Sequence, residues 1–321
     1  MKFIDNKVFV LPVLLSIVCF YLPACHNSGK NIQDDQVITV FHAGSLSVPL
    51  RIMAEEFEKQ NPGVEVQLEA TGSVACVRKI TDLKRNCDVI ALADCELIDR
   101  LLIPDHASWA IQLASNELCL AYTDKSTYSD EFTEKNWFEI ISRDDVRLGR
   151  SNPDSDPCGY RSVLTLKLAD VYYPNGVDLD KILSKDHRFI RPKETDLLAL
   201  LETNTIDYMF IYSSVAVQHG LNFIKLPDSI NLSNPDLGDF YSTATVKISG
   251  KTPGSELLMQ GQAMIYGFTL PENSLHPDLG RKFAEFIVDT EKGLRIIEEA
   301  GQKVIELRLS PASISNPELC K

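Results

Sequence analysis

The chain has 321 residues, of which 44% are hydrophobic and 24% charged, and its 32 Lys and Arg against 45 Asp and Glu give a formal net charge of −13. This composition indicates a globular protein of about two domains and excludes disorder and a collagen-like repeat. Without a broad basic surface to neutralise phosphates, the chain is not expected to bind nucleic acid. Taken alone, the same acidity argues against an anionic ligand.

The first 24 residues predict a secretory signal peptide. Two lysines, at 2 and 7, precede an apolar run from 8 to 22, which is short for a membrane span of ~20 residues. The run ends in Leu-Pro-Ala-Cys at 22–25, which resembles the lipobox of bacterial lipoproteins. The resemblance implies that Cys25 carries a lipid, that 25–35 is a linker, and that the exported chain is anchored on the outer side of a membrane. The sequence does not distinguish an anchor in the inner membrane from one in the outer membrane.

From residue 36 short apolar runs alternate with helical patterns, which is typical of an α/β fold with largely parallel sheets. In the first part we expect strands at 37–41, 64–68 and 89–93, separated by helices whose apolar faces include Leu50 to Phe57 and Val74 to Leu83. The later predicted strands are at 118–122, 146–148, 208–212 and 263–268. The later predicted helices are at 131–141, from the 151–160 loop to 172, at 197–201, 215–219 and 282–300.

Three predicted strands run through a turn of small residues directly into a helix, near Ser45, Ser73 and Cys158. In open α/β sheets ligands bind beyond the carboxyl ends of the strands, and helix N-termini there offer unpaired N–H groups to an anion. The alternative is that these serines only cap helices, since serine is a common N-cap residue.

Four segments together resemble the tungstate/molybdate-binding proteins of ABC uptake systems, most closely the archaeal type. They are VFHAGSLSVP (40–49), ATGSVACVRKITDL (70–83), SNPDSDPCGYR (151–161) and YSSVAVQHG (212–220). The resemblance implies a type II periplasmic-binding-protein fold, in which two α/β lobes close on one oxyanion. We expect lobe 1 to comprise 36–116 and 245–321, and lobe 2 to comprise 117–244.

The resemblance also implies the residues that bind the oxyanion, through hydroxyl and backbone N–H groups on both lobes. They are Ser45, Ser73, Cys158, Glu194, Thr195 and Tyr212. Ser45 and Ser73 would act through hydroxyl and backbone groups, and the backbone would act at Cys158 and near Glu194 and Thr195.

Two carboxylates approach the metal in the archaeal type and make it six-coordinate. Asp156 matches one of them, as a direct ligand to the metal or as a helix cap, but Ile211 stands where the family has a glutamate. An isoleucine offers no ligand oxygen, so four-coordinate binding by hydrogen bonds is expected. No cationic side chain is required for such binding.

The predicted function is therefore an extracytoplasmic, lipid-anchored, monomeric solute-binding protein without a cofactor. It would deliver molybdate or tungstate, between which the sequence does not choose, to an ABC permease and its ATPase subunit. The alternatives are a protein that binds sulfate, phosphate or ferric ion, a surface lipoprotein of purely structural role, and a hydrolase built from His42, His219 and a serine. The hydrolase is disfavoured because the sequence has no Gly-x-Ser-x-Gly motif.

Six cysteines follow Cys25, with no Cys-x-x-Cys spacing or histidine cluster that would indicate zinc. We expect buried free thiols with at most one disulfide. The net charge does not decide the binding of one small buried dianion, because charges more than about 8 to 10 Å away are screened by salt.

Overall fold

The computed structural model describes residues 36–250, 252 and 254–311. The predicted signal peptide, the predicted lipidation site Cys25, the 25–35 linker and Cys320 lie outside the described residues. Within the described part, none of the helices combines the length and apolar character needed to cross a bilayer.

Strands and α-helices alternate along much of the described chain. The strands are β1 (Gln36–Ala43), β2 (Val64–Thr71), β3 (Val89–Leu92), β4 (Ala110–Ser115), β5 (Leu118–Tyr122), β6 (Leu148–Ser151), β7 (Ile190–Arg191), β8 (Tyr208–Tyr212), β9 (Asn222–Lys225), β10 (Thr245–Ser249), β11 (Glu256–Gln260), β12 (Ile265–Thr269) and β13 (Lys303–Ser310). The helices are α1 (Ser47–Gln60), α2 (Ser73–Thr81), α3 (Trp137–Ile141), α4 (Pro157–Tyr172), α5 (Leu179–Ser184), α6 (Leu198–Glu202), α7 (Ser213–Gln218), α8 (Asp228–Asn231), α9 (Gly238–Tyr241), α10 (Pro277–Val288) and α11 (Gly293–Glu299).

The first sheet has six strands in the order β13-β4-β12-β3-β1-β2. Only β1 with β2 and β1 with β3 pair in parallel, whereas β12 runs antiparallel to β3 and β4, and β13 antiparallel to β4. The expectation of largely parallel sheets was therefore wrong. The parallel neighbours are strands whose connection runs through helices, because two parallel strands can be joined only by a long crossover connection.

The second sheet has five strands in the order β7-β6-β8-β5-β9. Strand β6 pairs in parallel with β7 and β8, and β5 pairs antiparallel with β8 and β9. The strands of the first sheet fall in the ranges predicted for lobe 1 and those of the second sheet in the range predicted for lobe 2. The exact lobe boundaries remain a prediction.

Strands β10 and β11 form a separate antiparallel hairpin, although their residues fall in the range predicted for lobe 1. The hairpin is tied to both lobes. Lys167 of α4 donates through Nζ to the carbonyl of Thr245, while Arg100 of lobe 1 donates to the carbonyl of Leu258 at 2.9 Å.

Burial shows why the predicted helices form and where they end. Leu50, Met53 and Phe57 of α1 are buried, as their helical spacing predicts. The Phe57 ring packs edge to face against Phe283 and Phe286 of α10. The prediction that Leu83 belongs to the apolar face of the second helix was wrong. Helix α2 ends at Thr81, and Leu83 is 67% exposed.

Three other predicted elements were displaced or divided. The helix predicted at 131–141 is reduced to α3, and the strand predicted at 146–148 starts at Leu148. The helix predicted over 282–300 is two helices, α10 and α11, with a break at 289–292. Gly293 packs tightly at this break, because a Cβ there would lie 2.3 Å from the carbonyl oxygen of Ile287.

Five of the six cysteines that follow Cys25 are described, and all of these are free and buried. They are Cys76, Cys87, Cys95, Cys119 and Cys158. Burial raises their pKa values, that of the Cys76 thiol to about 11. The prediction of buried free thiols is confirmed for these five residues.

Candidate functional site

The predicted site residues lie at the carboxyl ends of parallel strands in both sheets. In lobe 1, β1 leads through a turn at Gly44–Leu46 into α1, and β2 leads through Gly72 into α2, whose first residue is Ser73. In lobe 2, β6 ends at Ser151 ahead of α4, and β8 ends at Tyr212 ahead of α7. This edge of an α/β sheet is where ligands bind.

The two serine turns of lobe 1 meet lobe 2 at very short range. A Cβ added to Gly72 would lie 2.2 Å from the carbonyl oxygen of Ser155, and that oxygen accepts a hydrogen bond from the Ala75 N–H at 3.2 Å. A Cβ at Gly44 would lie 2.8 Å from Oγ1 of Thr195 and 3.1 Å from Oε1 of Glu194. The structure therefore brings the predicted residues of both lobes together.

The hydroxyl oxygens of Ser45 and Ser73 each accept a hydrogen bond from lobe 1 itself. Tyr266 donates its phenolic proton to Ser45 Oγ at 3.1 Å, and the Ala93 N–H donates to Ser73 Oγ at 3.0 Å. Both serines are fully buried. Because each oxygen already accepts, the hydroxyl proton of each serine is left to donate to a ligand.

The helix-capping alternative is wrong for these two serines. The N-cap positions of the turn at Gly44 and of α2 belong to Ala43 and Gly72, and no side chain forms a cap hydrogen bond at either place. Ser47 instead uses its hydroxyl to bond the Gly44 carbonyl at 2.7 Å.

A pair of carboxyl groups, Asp156 and Glu194, lies buried in the site. Each residue is 1% exposed, and among the described residues none of the four carboxyl oxygens forms a hydrogen bond of good geometry, although the two carboxyl groups and the Ser151 hydroxyl lie close enough to interact. Burial raises the pKa values of both carboxyl groups, and the Asp156 charge raises the pKa of Glu194 further. Poorly satisfied buried polar atoms cost free energy, so this pair is available to a bound group.

The side chain of Glu194 is a feature that the sequence analysis missed, since only its backbone was assigned a role. Asp156 occupies the N-cap position of α4 but makes no cap bond, which removes capping as its role. Ile211 is the next-to-last residue of β8, fully buried and paired with Cys119 of β5. Its side chain has no oxygen that could bind a metal.

The remaining predicted residues lie around this pair. The Cys158 thiol bonds the carbonyl of Phe210 at 3.5 Å. In the first turn of α4, Pro157 has no N–H and Gly159 and Tyr160 donate to the Asp156 carbonyl, so the Cys158 N–H is the backbone donor that this turn offers to a ligand. Tyr212 is fully buried, and its hydroxyl oxygen accepts from Nη1 of Arg161 at 3.1 Å. Thr195 lies beside Gly44 at the junction of the lobes.

Arg161 is a buried cation that the sequence analysis did not assign to the site. It is 1% exposed, and its Nη2 lies 3.0 Å from Oδ2 of Asp94. It is the last residue of the 151–161 segment that carries the resemblance, but no role was inferred for it, because an arginine in a helix is usually exposed. Ser151 Oγ and Gln302 Oε1, also unassigned from the sequence, are buried and unpartnered within the described chain.

The geometry gives no support to a hydrolase. Nδ1 of His42 lies 2.8 Å from the carbonyl oxygen of Ala43, and burial lowers the pKa of His42 to about 4. His219 is exposed. In the described ranges no hydrogen bond joins either histidine to a serine, and no cluster of three or more His, Cys, Asp or Glu side chains could hold a metal ion.

Residues 38–303 match the family model of bacterial extracellular solute-binding proteins. An uncharacterized solute-binding protein of Petrotoga mobilis is 45% identical over 269 residues, covering 84% of each chain. The molybdate/tungstate-binding protein WtpA of Pyrococcus abyssi is 39% identical over 316 residues, covering 89% of this chain and 90% of the relative.

Solved structures with the same fold include the periplasmic molybdate-binding protein of Azotobacter vinelandii, with a TM-score of 0.62, 14% identity and coverage of 84% of this chain and 100% of that one. The sulfate-binding protein SubI of Mycobacterium tuberculosis has a TM-score of 0.59 at 12% identity, covering 86% and 88%. These likenesses concern the fold alone, which is the predicted type II periplasmic-binding-protein fold. The chain belongs to the family of bacterial extracellular solute-binding proteins.

Proposed function

We propose that this solute-binding protein captures molybdate or tungstate between its two lobes and delivers the oxyanion to the permease of an ABC transporter. The observation that carries the proposal is the group of buried polar atoms between the lobes that form no well-aligned hydrogen bond within the described part of the chain. Relatives from Pyrococcus abyssi and Thermococcus kodakarensis, 39% and 37% identical, are named molybdate/tungstate-binding proteins. Export, the lipid at Cys25 and the monomeric state remain predictions.

The hydrogen-bond donors suit a small dianion with four oxygens. Ser45 and Ser73 would donate hydroxyl protons, and Tyr212 would donate its phenolic proton. Backbone N–H groups would come from Ser73 and Val74 at the start of α2 and from Cys158 at the start of α4, because the other N–H groups of these turns donate within the protein. Hydrogen bonds to charged groups contribute about 1.5 to 3 kcal/mol each. Six of them give roughly 9 to 18 kcal/mol before the cost of association and closure, which corresponds to a Kd from micromolar to nanomolar.

Asp156 and Glu194 would act as two further ligands to the metal. Two carboxylates next to a dianion repel it unless their oxygens bond to its central atom or carry protons. Molybdenum and tungsten accept additional oxygen ligands, whereas sulfur in sulfate and phosphorus in phosphate do not. Glu194 would thus supply, from another part of the chain, the carboxylate that Ile211 lacks, and six-coordinate binding replaces the four-coordinate expectation.

The first prediction concerns the ligand. Calorimetric titration of the protein with molybdate and tungstate is expected to give a Kd of about 1 µM or below, and sulfate and phosphate at least about a hundredfold weaker binding. Tight binding of sulfate or phosphate with no heat from molybdate or tungstate would contradict the proposal and establish the alternative oxyanion.

The second prediction concerns the serine hydroxyls. Ser45→Ala and Ser73→Ala should each weaken molybdate binding by about 1 to 3 kcal/mol, because each removes a hydrogen bond to the dianion. Ser47→Ala is the matched control, since its hydroxyl bonds the Gly44 carbonyl and is expected to leave the affinity unchanged. Unaltered affinity in both site variants would remove these hydroxyls from the site.

The third prediction concerns the approach of the lobes at Gly72. Gly72→Ala would place a methyl group 2.2 Å from the backbone carbonyl of Ser155, so the lobes must separate and molybdate affinity should fall at least about tenfold. Small-angle X-ray scattering with saturating molybdate should show a larger radius of gyration than wild type. Gly238→Ala, where no atom lies within 4 Å of the added Cβ, should behave as wild type.

The fourth prediction concerns coordination. The X-ray absorption spectrum of bound molybdate should show six oxygen neighbours, and Asp156→Asn or Glu194→Gln should lower that number. Asp154→Asn is the control from the same loop, because the Asp154 carboxylate bonds Ser249 instead. A tetrahedral spectrum in the wild-type protein would refute metal coordination by the pair while leaving oxyanion binding intact.

A further inference from the structure

A cluster of three side chains crosses the cleft beside the candidate site. Asp94 follows β3 in lobe 1, whereas Tyr160 and Arg161 lie in the first half of α4 in lobe 2. Nη2 of Arg161 lies 3.0 Å from Oδ2 of Asp94, and the Tyr160 hydroxyl donates to the same carboxylate oxygen. All three residues are at most 3% exposed, so water does not compete for these contacts.

Each half of the cluster is held in position by contacts within its own lobe. Oδ1 of Asp94 accepts a hydrogen bond from the Glu96 N–H at 3.1 Å in lobe 1. In lobe 2, Nη1 of Arg161 donates to the hydroxyl oxygen of Tyr212 at 3.1 Å. The two halves would therefore remain organised when the lobes part, and only the contacts across the cleft would be lost.

The free energy of such a buried pair depends sharply on geometry. Burying the Asp94 and Arg161 charges costs solvation free energy that is regained only when the partner is correctly placed. Separation of the lobes returns both charges to water. The cluster consequently favours two arrangements, joined or fully hydrated, over a partly opened one.

The cluster also shares a residue, Ala93, with the candidate site. Nη1 of Arg161 donates across the cleft to the Ala93 carbonyl at 2.8 Å, while the Ala93 N–H donates to Ser73 Oγ. Arg161 contacts Tyr212 at the same time, so its guanidinium touches one predicted ligand-binding residue directly and another through Ala93. The cluster therefore adjoins two of the proposed hydroxyl donors, and each donor is held by a contact within its own lobe.

We propose that Asp94, Tyr160 and Arg161 form a latch across the cleft that closes after the oxyanion has entered and sets the rate at which it leaves. The proposal rests on the proposed function, because it assumes that an oxyanion is enclosed. The three residues are positioning residues and need not touch the ligand. Since the latch forms after the encounter, its loss should change the dissociation rate and not the association rate.

The test measures both rates with radioactive molybdate and rapid filtration. Tyr160→Phe, which removes one hydrogen bond to the Asp94 carboxylate, should raise the dissociation rate about tenfold and leave the association rate within about twofold. Asp94→Asn, which leaves Arg161 without its counter-charge, should raise the dissociation rate by a larger factor. The control is Tyr208→Phe, whose hydroxyl bonds the Thr127 carbonyl at 2.7 Å within lobe 2 and which should not alter either rate.

Urea unfolding of each variant establishes that it is folded before the rates are compared. Dissociation rates of folded Tyr160→Phe and Asp94→Asn equal to that of wild type would overturn the latch while leaving the proposed function intact. A reduced association rate with unchanged dissociation would also overturn it. If the wild-type protein binds neither molybdate nor tungstate, the proposed function itself fails, and this outcome is seen before any variant is made.

Discussion

The requirement that buried polar groups find partners governs the centre of this molecule. Asp156 and Glu194 form no hydrogen bond of good geometry among the described residues, although both are buried where the lobes meet. Nearby, the hydroxyl oxygens of Ser45 and Ser73 accept hydrogen bonds from within lobe 1, which leaves their protons available for donation. Such a cleft offers hydrogen-bond donors to the oxygens of an anion. Its carboxyl groups suit an anion whose central atom accepts additional oxygen ligands.

Local structure, and not net charge, decides which ligand this acidic chain can hold. The formal charge of −13 is spread over a large surface, while Arg161 places a buried cation next to Tyr212. Helix N-termini and hydroxyl groups act over a few ångströms in a region from which water is largely excluded. Surface carboxylates would have little influence on the proposed dianion between the lobes, because salt screens them.

The parts of the fold that local sequence patterns determine were predictable. The apolar spacing of Leu50 and Phe57 predicted α1, and the serine turns after β1 and β2 predicted Ser45 and Ser73 at the cleft. Contacts made between distant segments were not predictable. The approach of Glu194 to Asp156 and the pairing of Arg161 with Asp94 depend on how two lobes meet, which no single segment encodes, and the break between α10 and α11 depends on the packing of Gly293 against Ile287.

The five described cysteines carry a consequence for the conditions under which the protein can be made. None of them forms a disulfide, and each is buried with a thiol pKa above its ordinary value. Thiols of this kind are poor nucleophiles and react slowly with oxidants. The described fold therefore does not depend on a disulfide among these five cysteines, and reducing agents are not expected to disrupt it through them.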